Sequence, residues 1–229
     1  MCAVRHWSTL VAGKRFGAAR RRADGDVVFA KGDPLDHVYA LVAGAVEILQ
    51  PALAATDATV VVKLLAAPTL FGAIEALGDE PRALESVRAL GDTDVVAIER
   101  AAFRATIAAD LAAAHECLLD VGRAFCVAAK FEPSRLADVD ARLAAMLLAY
   151  VDVCGEPWDG GVRMRVKRTQ ADLAGAIGAS ERTVNRVLAD WKARGFVDKN
   201  DARYIVHDAP ALHALAGELA GALVHRSSA

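Results

Sequence analysis

The chain has 229 residues and a net charge of −2; with 55% hydrophobic and 24% charged residues it can bury a core and stay soluble. No apolar run approaches the ~20 residues of a membrane-spanning helix, and no apolar signal core follows Arg5 and His6, so a cytoplasmic protein without a membrane partner is expected. The four cysteines (Cys2, Cys117, Cys126, Cys154) form no CxxC pair, and no nucleophile–base motif, metal-ligand cluster or phosphate loop appears. Neither an enzyme nor a metal site is expected.

In chain order, Thr9 to Arg22 reads as a helix whose Arg20-Arg21-Arg22 run is a solvated surface. The stretch to about Glu99 then reads as short β-branched strands: Val27–Phe29, Val38–Val42, Val46–Leu49, Thr59–Leu65 and Val95–Ile98. Gly25, Gly32-Asp33-Pro34, Gly44, Asp57 and Gly91-Asp92 punctuate them as turns. Such spacing predicts a sandwich or jelly roll. The acidic residues Glu75, Asp79, Glu80 and Glu85 read as a solvated loop.

Arg100 to Phe131 is alanine-rich and reads as helical. Leu111, Leu118 and Phe125 recur every seven residues, and Ala114, Val121 and Ala128 do so three positions later. That is an a/d seam, with small residues and Gly122 permitting close helix approach. A helix packed on its own domain would show the same pattern; the sustained seam between two domains favours a homodimer interface. Cys117 and Cys126 lie on this helix and read as buried inert thiols rather than a redox switch. Glu132-Pro133-Ser134 ends the helix as a hinge.

From about Ala137, Asp138 is placed to cap a helix to Val153, stopped by Gly155 and Pro157; Val162–Lys167 alternates as a strand. Thr169 and Asp172 open the next helix, whose inner face is Leu173, Ala174 and Ile177. Gly178 supplies a tight turn and Ser180 caps a second helix. In it Val184, Val187, Leu188 and Trp191 fall on one face, and Arg182 and Arg186 point away from it. Arg182 sits in the first turn, where the helix dipole disfavours a cation by ~0.3–1 kcal/mol. A DNA reader places arginine there because that turn enters the major groove, where Arg bonds guanine O6 and N7. A small hairpin around Asn200-Asp201 and a last helix near Pro210 complete the stretch. Gly160 to His207 holds ten basic and five acidic residues, so the acidic chain carries a basic segment suited to phosphates.

The block Thr169-Gln-Ala-Asp-Leu-Ala-Gly-Ala-Ile-Gly-Ala-Ser-Glu-Arg-Thr-Val-Asn-Arg-Val-Leu188, followed by Gly195-Phe196-Val197, resembles the helix-turn-helix of the CRP/FNR family of bacterial regulators. Gly25 to Asp33, through Val38-Tyr39 to Gly44-Ala45-Val46, is similar to the first half of that family's cyclic-nucleotide-binding-type roll. The resemblance implies an α+β chain: a β-roll (double-stranded β-helix or jelly roll) over residues 1–106, a dimerisation helix and hinge over 107–136, and a winged helix-turn-helix over 137–229. It implies a homodimer on a palindromic operator in double-stranded DNA, with RNA polymerase as a further partner. The DNA-facing residues it implies are Thr169, Gln170, Ser180, Glu181, Arg182, Thr183, Asn185 and Arg186.

Two departures stand out. The family's S-R-E-T is Ser180-Glu181-Arg182-Thr183 here, so the bases read should differ. Where cyclic-AMP-binding members carry Gly-Glu and Arg-Ser, this chain has Gly72-Ala73 and Arg82-Ala83, and no Ser or Thr lies between Leu111 and Pro133. Cyclic AMP in the usual mode is therefore not expected, although an effector at the roll is. Cys2 is the sole cysteine near the N-terminus, against an iron–sulfur cluster; for haem, His37, His115 and Cys117 are ligands by residue type alone.

Overall fold

The computed structural model describes residues 16–51, 59–78, 81–134 and 137–225, with side chains left undescribed at 123, 124, 126–134 and 225. The chain is a mixed helix and sheet protein, and it divides into two compact units. Of the described residues, one unit takes those within 16–48, 65–126 and 225; the other takes those within 49–64 and 127–224.

The first unit is built on antiparallel strands: β1 (Arg20–Arg22), β2 (Val27–Phe29), β3 (His37–Pro51, to Ile48 in this unit), β5 (Thr69–Phe71) and β6 (Ser86–Glu99). β1 and β2 both pair with β6, and β5 pairs with β3 through Tyr39↔Phe71 and Leu41↔Thr69. A short helix α1 (Ala73–Leu77) follows β5, and α2 (Arg100–Ala109) and α3 (Leu111–Ser134, to Cys126 in this unit) follow β6. Val38, Val96, Ile98, Phe103 and Cys117 share the core that fastens the helices to the strands. Each such apolar side chain stabilises the unit by ~1.5–3 kcal/mol.

Several expectations are corrected here. Arg20–Arg22 form β1 against Thr93–Val95, not the end of a helix; the rest of that expected helix, to residue 15, lies outside the described residues. Gly44 and Gly91 are not turns between strands, because β3 and β6 run straight through them. Gly44 holds φ +80°, and a Cβ there would stand 2.4 Å from the Asp92 carbonyl oxygen. The glycine thus allows a close crossing of two long strands, where sequence alone suggests punctuation. The expected single helix from Arg100 breaks at Asp110, whose Oδ1 accepts from the Ala112 and Ala113 amides, and its second part runs through Pro133 to Ser134. Asp79 and Glu80 lie outside the described residues.

The second unit centres on α4 (Val139–Cys154), where every residue from Leu143 to Tyr150 is buried. A helix apolar all round is surrounded by partners; here they include α5 (Gln170–Ile177), α6 (Glu181–Ala193) and α7 (Ala209–Ala216). A four-stranded sheet joins β7 (Gly155–Trp158), β8 (Gly161–Met164), β10 (Arg203–Val206) and β9 (Val197–Asn200) in that order. Sequence alone suggests no more than a helix stop at Gly155 and Pro157; Gly155 does end α4, and the chain then turns directly into β7. The strand expected over Val162–Lys167 is shorter, Gly161–Met164. Also in this unit, the Leu64 amide of β4 (Thr59–Ala66) donates to the Leu223 carbonyl at 2.7 Å.

Candidate functional site

The strongest site is α5, its turn and α6. Thr169 closes a reciprocal capping box: the Asp172 amide donates to Thr169 Oγ1 at 3.0 Å, and the Thr169 amide donates to Asp172 Oδ2 at 2.7 Å. Two donors of the helix start are thereby satisfied. Gly178 ends α5 in the left-handed region at φ +64°, and the Ala179 amide donates to the Ala174 carbonyl at 2.9 Å. Gly serves there because no Cβ penalty opposes that φ. Ser180 then caps α6, its Oγ accepting from the Thr183 amide at 3.1 Å and lying 2.8 Å from Thr183 Oγ1.

These caps fix which side of α6 faces outward. Val184, Val187, Leu188 and Trp191 are all buried, Trp191 completely. Glu181, Arg182 and Arg186 are exposed, and their side chains make no hydrogen bond or ion pair among the described residues. Thr183 and Asn185 are half-buried, and Asn185 Oδ1 is shielded from solvent without a hydrogen-bond partner. Thr169 is exposed and Gln170 half-buried at the start of α5.

The β9–β10 hairpin stands beside this pair of helices in the same unit. Its tip is one residue later than expected, at Asp201 (φ +48°) and Ala202 (φ +60°). Asp201 accepts from Lys167 Nζ at 2.8 Å and from Arg203 at 2.6 Å, while the Arg168 amide donates to the Ala202 carbonyl at 3.0 Å. The Lys167 ammonium beside Asp201 holds its carboxyl below the usual range. The tip is therefore tied to the segment that leads into Thr169. Lys199 and Asn200 are exposed on the hairpin, within the basic segment from Gly160 to His207.

The second candidate lies in the first unit, where a family ligand would sit. Gly72 precedes α1 at φ +75°, and Ala73 and Ala83 are buried. Arg82 is exposed and already donates to the Gly32 carbonyl at 3.0 Å, beside a Pro34–Arg82 bridge. Glu75, two residues beyond the missing carboxylate, accepts from the Leu84 amide at 3.4 Å. Ala73 and Ala83 therefore offer only buried methyl groups at the positions where the resemblance to cyclic-AMP-binding members implies a carboxylate and a hydroxyl. Among the described residues no three His, Cys, Asp or Glu side chains gather to hold a metal.

The third is the stripe on α3. Leu111, Leu118 and Phe125 are 85%, 69% and 73% exposed, an unusual array for large apolar groups one heptad apart. Ala114 and Val121 are half-buried, with Val121 packed against its own unit's core. The two rows of the expected seam thus face differently; the Ala128 and Cys126 side chains lie outside the described ones. Cys117 is buried, and burial with Asp120 nearby pushes its thiol up to about 11.

Residues 19–110 match the cyclic nucleotide-binding domain family, and residues 141–215 match the Crp-like helix-turn-helix domain family. The chain is 28% identical over 193 residues, 82% of its length and 83% of the relative's, to the CRP-like cAMP-activated global transcriptional regulator of Mycobacterium tuberculosis, in strains CDC 1551 / Oshkosh and H37Rv. A CRP-family transcriptional regulator from Thermus thermophilus has a similar fold, with TM-score 0.74 and 21% identity over 89% of this chain and 99% of that one. The c-di-GMP responsive global regulator CLP of Xanthomonas campestris has TM-score 0.71 and 17% identity, over 88% and 99%. The chain belongs to the CRP/FNR family of DNA-binding transcription regulators, with a cyclic-nucleotide-binding-type domain ahead of a Crp-like helix-turn-helix.

Proposed function

We propose that the protein works as a homodimer that reads a palindromic DNA operator with α6. The observation that carries this reading is α6 itself, a helix anchored by four buried apolar residues while Arg182 and Arg186 stay free on its outer side. Arg182 and Arg186 contact base edges, and Glu181 and Asn185 shape the same surface. Thr169, Gln170, Ser180 and Thr183 position the phosphate backbone at the two helix starts. Two copies join along Leu111, Leu118 and Phe125, with Ala114, Val121 and Ala128 beside them, setting the reading helices ~34 Å apart. RNA polymerase is the further partner that family membership brings.

The effector differs from that of the Mycobacterium relative, whose name records activation by cAMP. Around Gly72, Ala73, Arg82 and Ala83 the residues disfavour cyclic AMP, and the engaged Arg82 also favours a second reading, a regulator that needs no ligand and is controlled by its abundance.

The direct test is Arg186→Ala against wild type on duplexes selected by the wild type from a random pool. The substitution should weaken binding by ~1–3 kcal/mol and relax preference at one base position per half-site. Equal affinity of both proteins for every duplex would contradict the assignment.

A further inference from the structure

An apolar hollow of about 470 Å³ lies in the first unit, among the end of α1, α2 and α3. Leu77, Ile107, Ala108 and Cys117 line it, together with Ala114, Leu118 and Val121 of the heptad rows on α3. Its volume falls within the ~300–1,000 Å³ typical of small-molecule sites. Among the described residues a single charged side chain borders it, that of Arg104. Arg104 also borders a second cleft of about 540 Å³ with Asp36, His37, Glu99, Arg100 and Ala101, so it stands between the apolar hollow and an opening that carries charges of both signs.

The two arginines of α2 differ in what they do. Arg100 is spent on the fold: its Nε donates to the Ala76 carbonyl at 2.9 Å and its NH2 to the Gly78 carbonyl. Arg104, one helical turn on, is exposed and makes no hydrogen bond or ion pair among the described residues. A free guanidinium at the lip of an apolar hollow is complementary to an anion with an apolar tail. Its fork fits a carboxylate, with two charge-assisted hydrogen bonds.

We propose that this hollow binds an apolar carboxylic acid, its chain against Leu77, Ile107 and Leu118 and its carboxylate on Arg104. Leu118 is also exposed on the heptad stripe, so an occupant would touch the surface through which two copies are proposed to join. The binding claim stands on the hollow and Arg104; only its role as an effector rests on the regulator reading.

Titration calorimetry on the full chain with decanoate, and with decanol as the uncharged counterpart, tests it. Decanoate should bind saturably, one per chain. Decanol, and decanoate on Arg104→Gln, should each be weaker by roughly tenfold or more. Ala108→Trp, which fills the hollow from an exposed helix position, should abolish binding. No saturable binding to wild type, or equal decanoate affinity in Arg104→Gln, would overturn the proposal. Binding confined to dilute monomer, as read by sedimentation, would mean that a second copy covers the hollow and would overturn it too. The DNA affinity of each variant without decanoate is measured separately, so failure of the DNA reading shows apart from failure of the acid site.

Discussion

The helix-turn-helix and the sensor domain have kept different things from their family. In α5 and α6 both the scaffold and the chemistry persist: two caps, a left-handed glycine, a buried apolar face and free arginines on the opposite side. In the first unit the strands and the short helix after Gly72 persist, but buried alanines, Ala73 and Ala83, stand where the family resemblance implies a carboxylate and a hydroxyl. A fold is maintained by buried apolar contacts, whereas a ligand is maintained by a few polar atoms, so the second can be lost without the first.

Trp191→Ala should break the reading side of this comparison most severely. The side chain is wholly buried, so the loss should be ~3–5 kcal/mol in thermal unfolding, with DNA binding falling alongside. On the sensor side the matching experiment is an expected silence. A ligand at 100 times its Kd would stabilise the fold by ~2.7 kcal/mol, yet cyclic AMP should leave the melting temperature unchanged. A clear upward shift would restore the usual nucleotide mode.

Thr169→Ala removes the acceptor of the Asp172 amide and should cost ~1 kcal/mol, measurable by denaturant titration, while Arg186 remains free to read. The smallest effect is chemical. Burial raises the Cys117 thiol to about 11, above the ~8.5 of an unfolded thiol, so its protonated form is favoured in the fold. That contribution is present below pH ~8.5 and disappears as pH rises through about 11. At pH 8 iodoacetamide should label Cys117 slowly in the native protein and quickly in denaturant, followed by mass spectrometry; equally fast labelling of both would revive a redox role.

What can be read from the sequence follows the range of the forces involved. The α5–α6 pair is legible because caps, glycine turn and i, i+3, i+4 spacing are all local, and all four residues expected inside α6 are buried. The long strands are not. Gly44 and Gly91 look like turns in one dimension, yet Gly44 is needed for a crossing against Asp92, a residue 48 positions away. Arg20–Arg22 look like the end of a helix because pairing with β6 is a long-range event, and Arg21 reaches Asp92 at 2.6 Å only once that pairing exists. The departure from the family's nucleotide-holding pattern at Ala73 and Ala83 is visible in residue identity alone. That Arg104 makes no hydrogen bond or ion pair among the described residues is invisible until α2 shows Arg100 engaged and its neighbour not.

The central claim is that α6 reads DNA as one half of a dimer. Its most direct test is selection of duplexes by the full-length protein from a random pool, followed by sequencing. An enriched two-fold palindrome with half-site centres ~10 base pairs apart is expected, from which Arg186→Ala loses one position per half. No enrichment, or a site without two-fold symmetry, would contradict it.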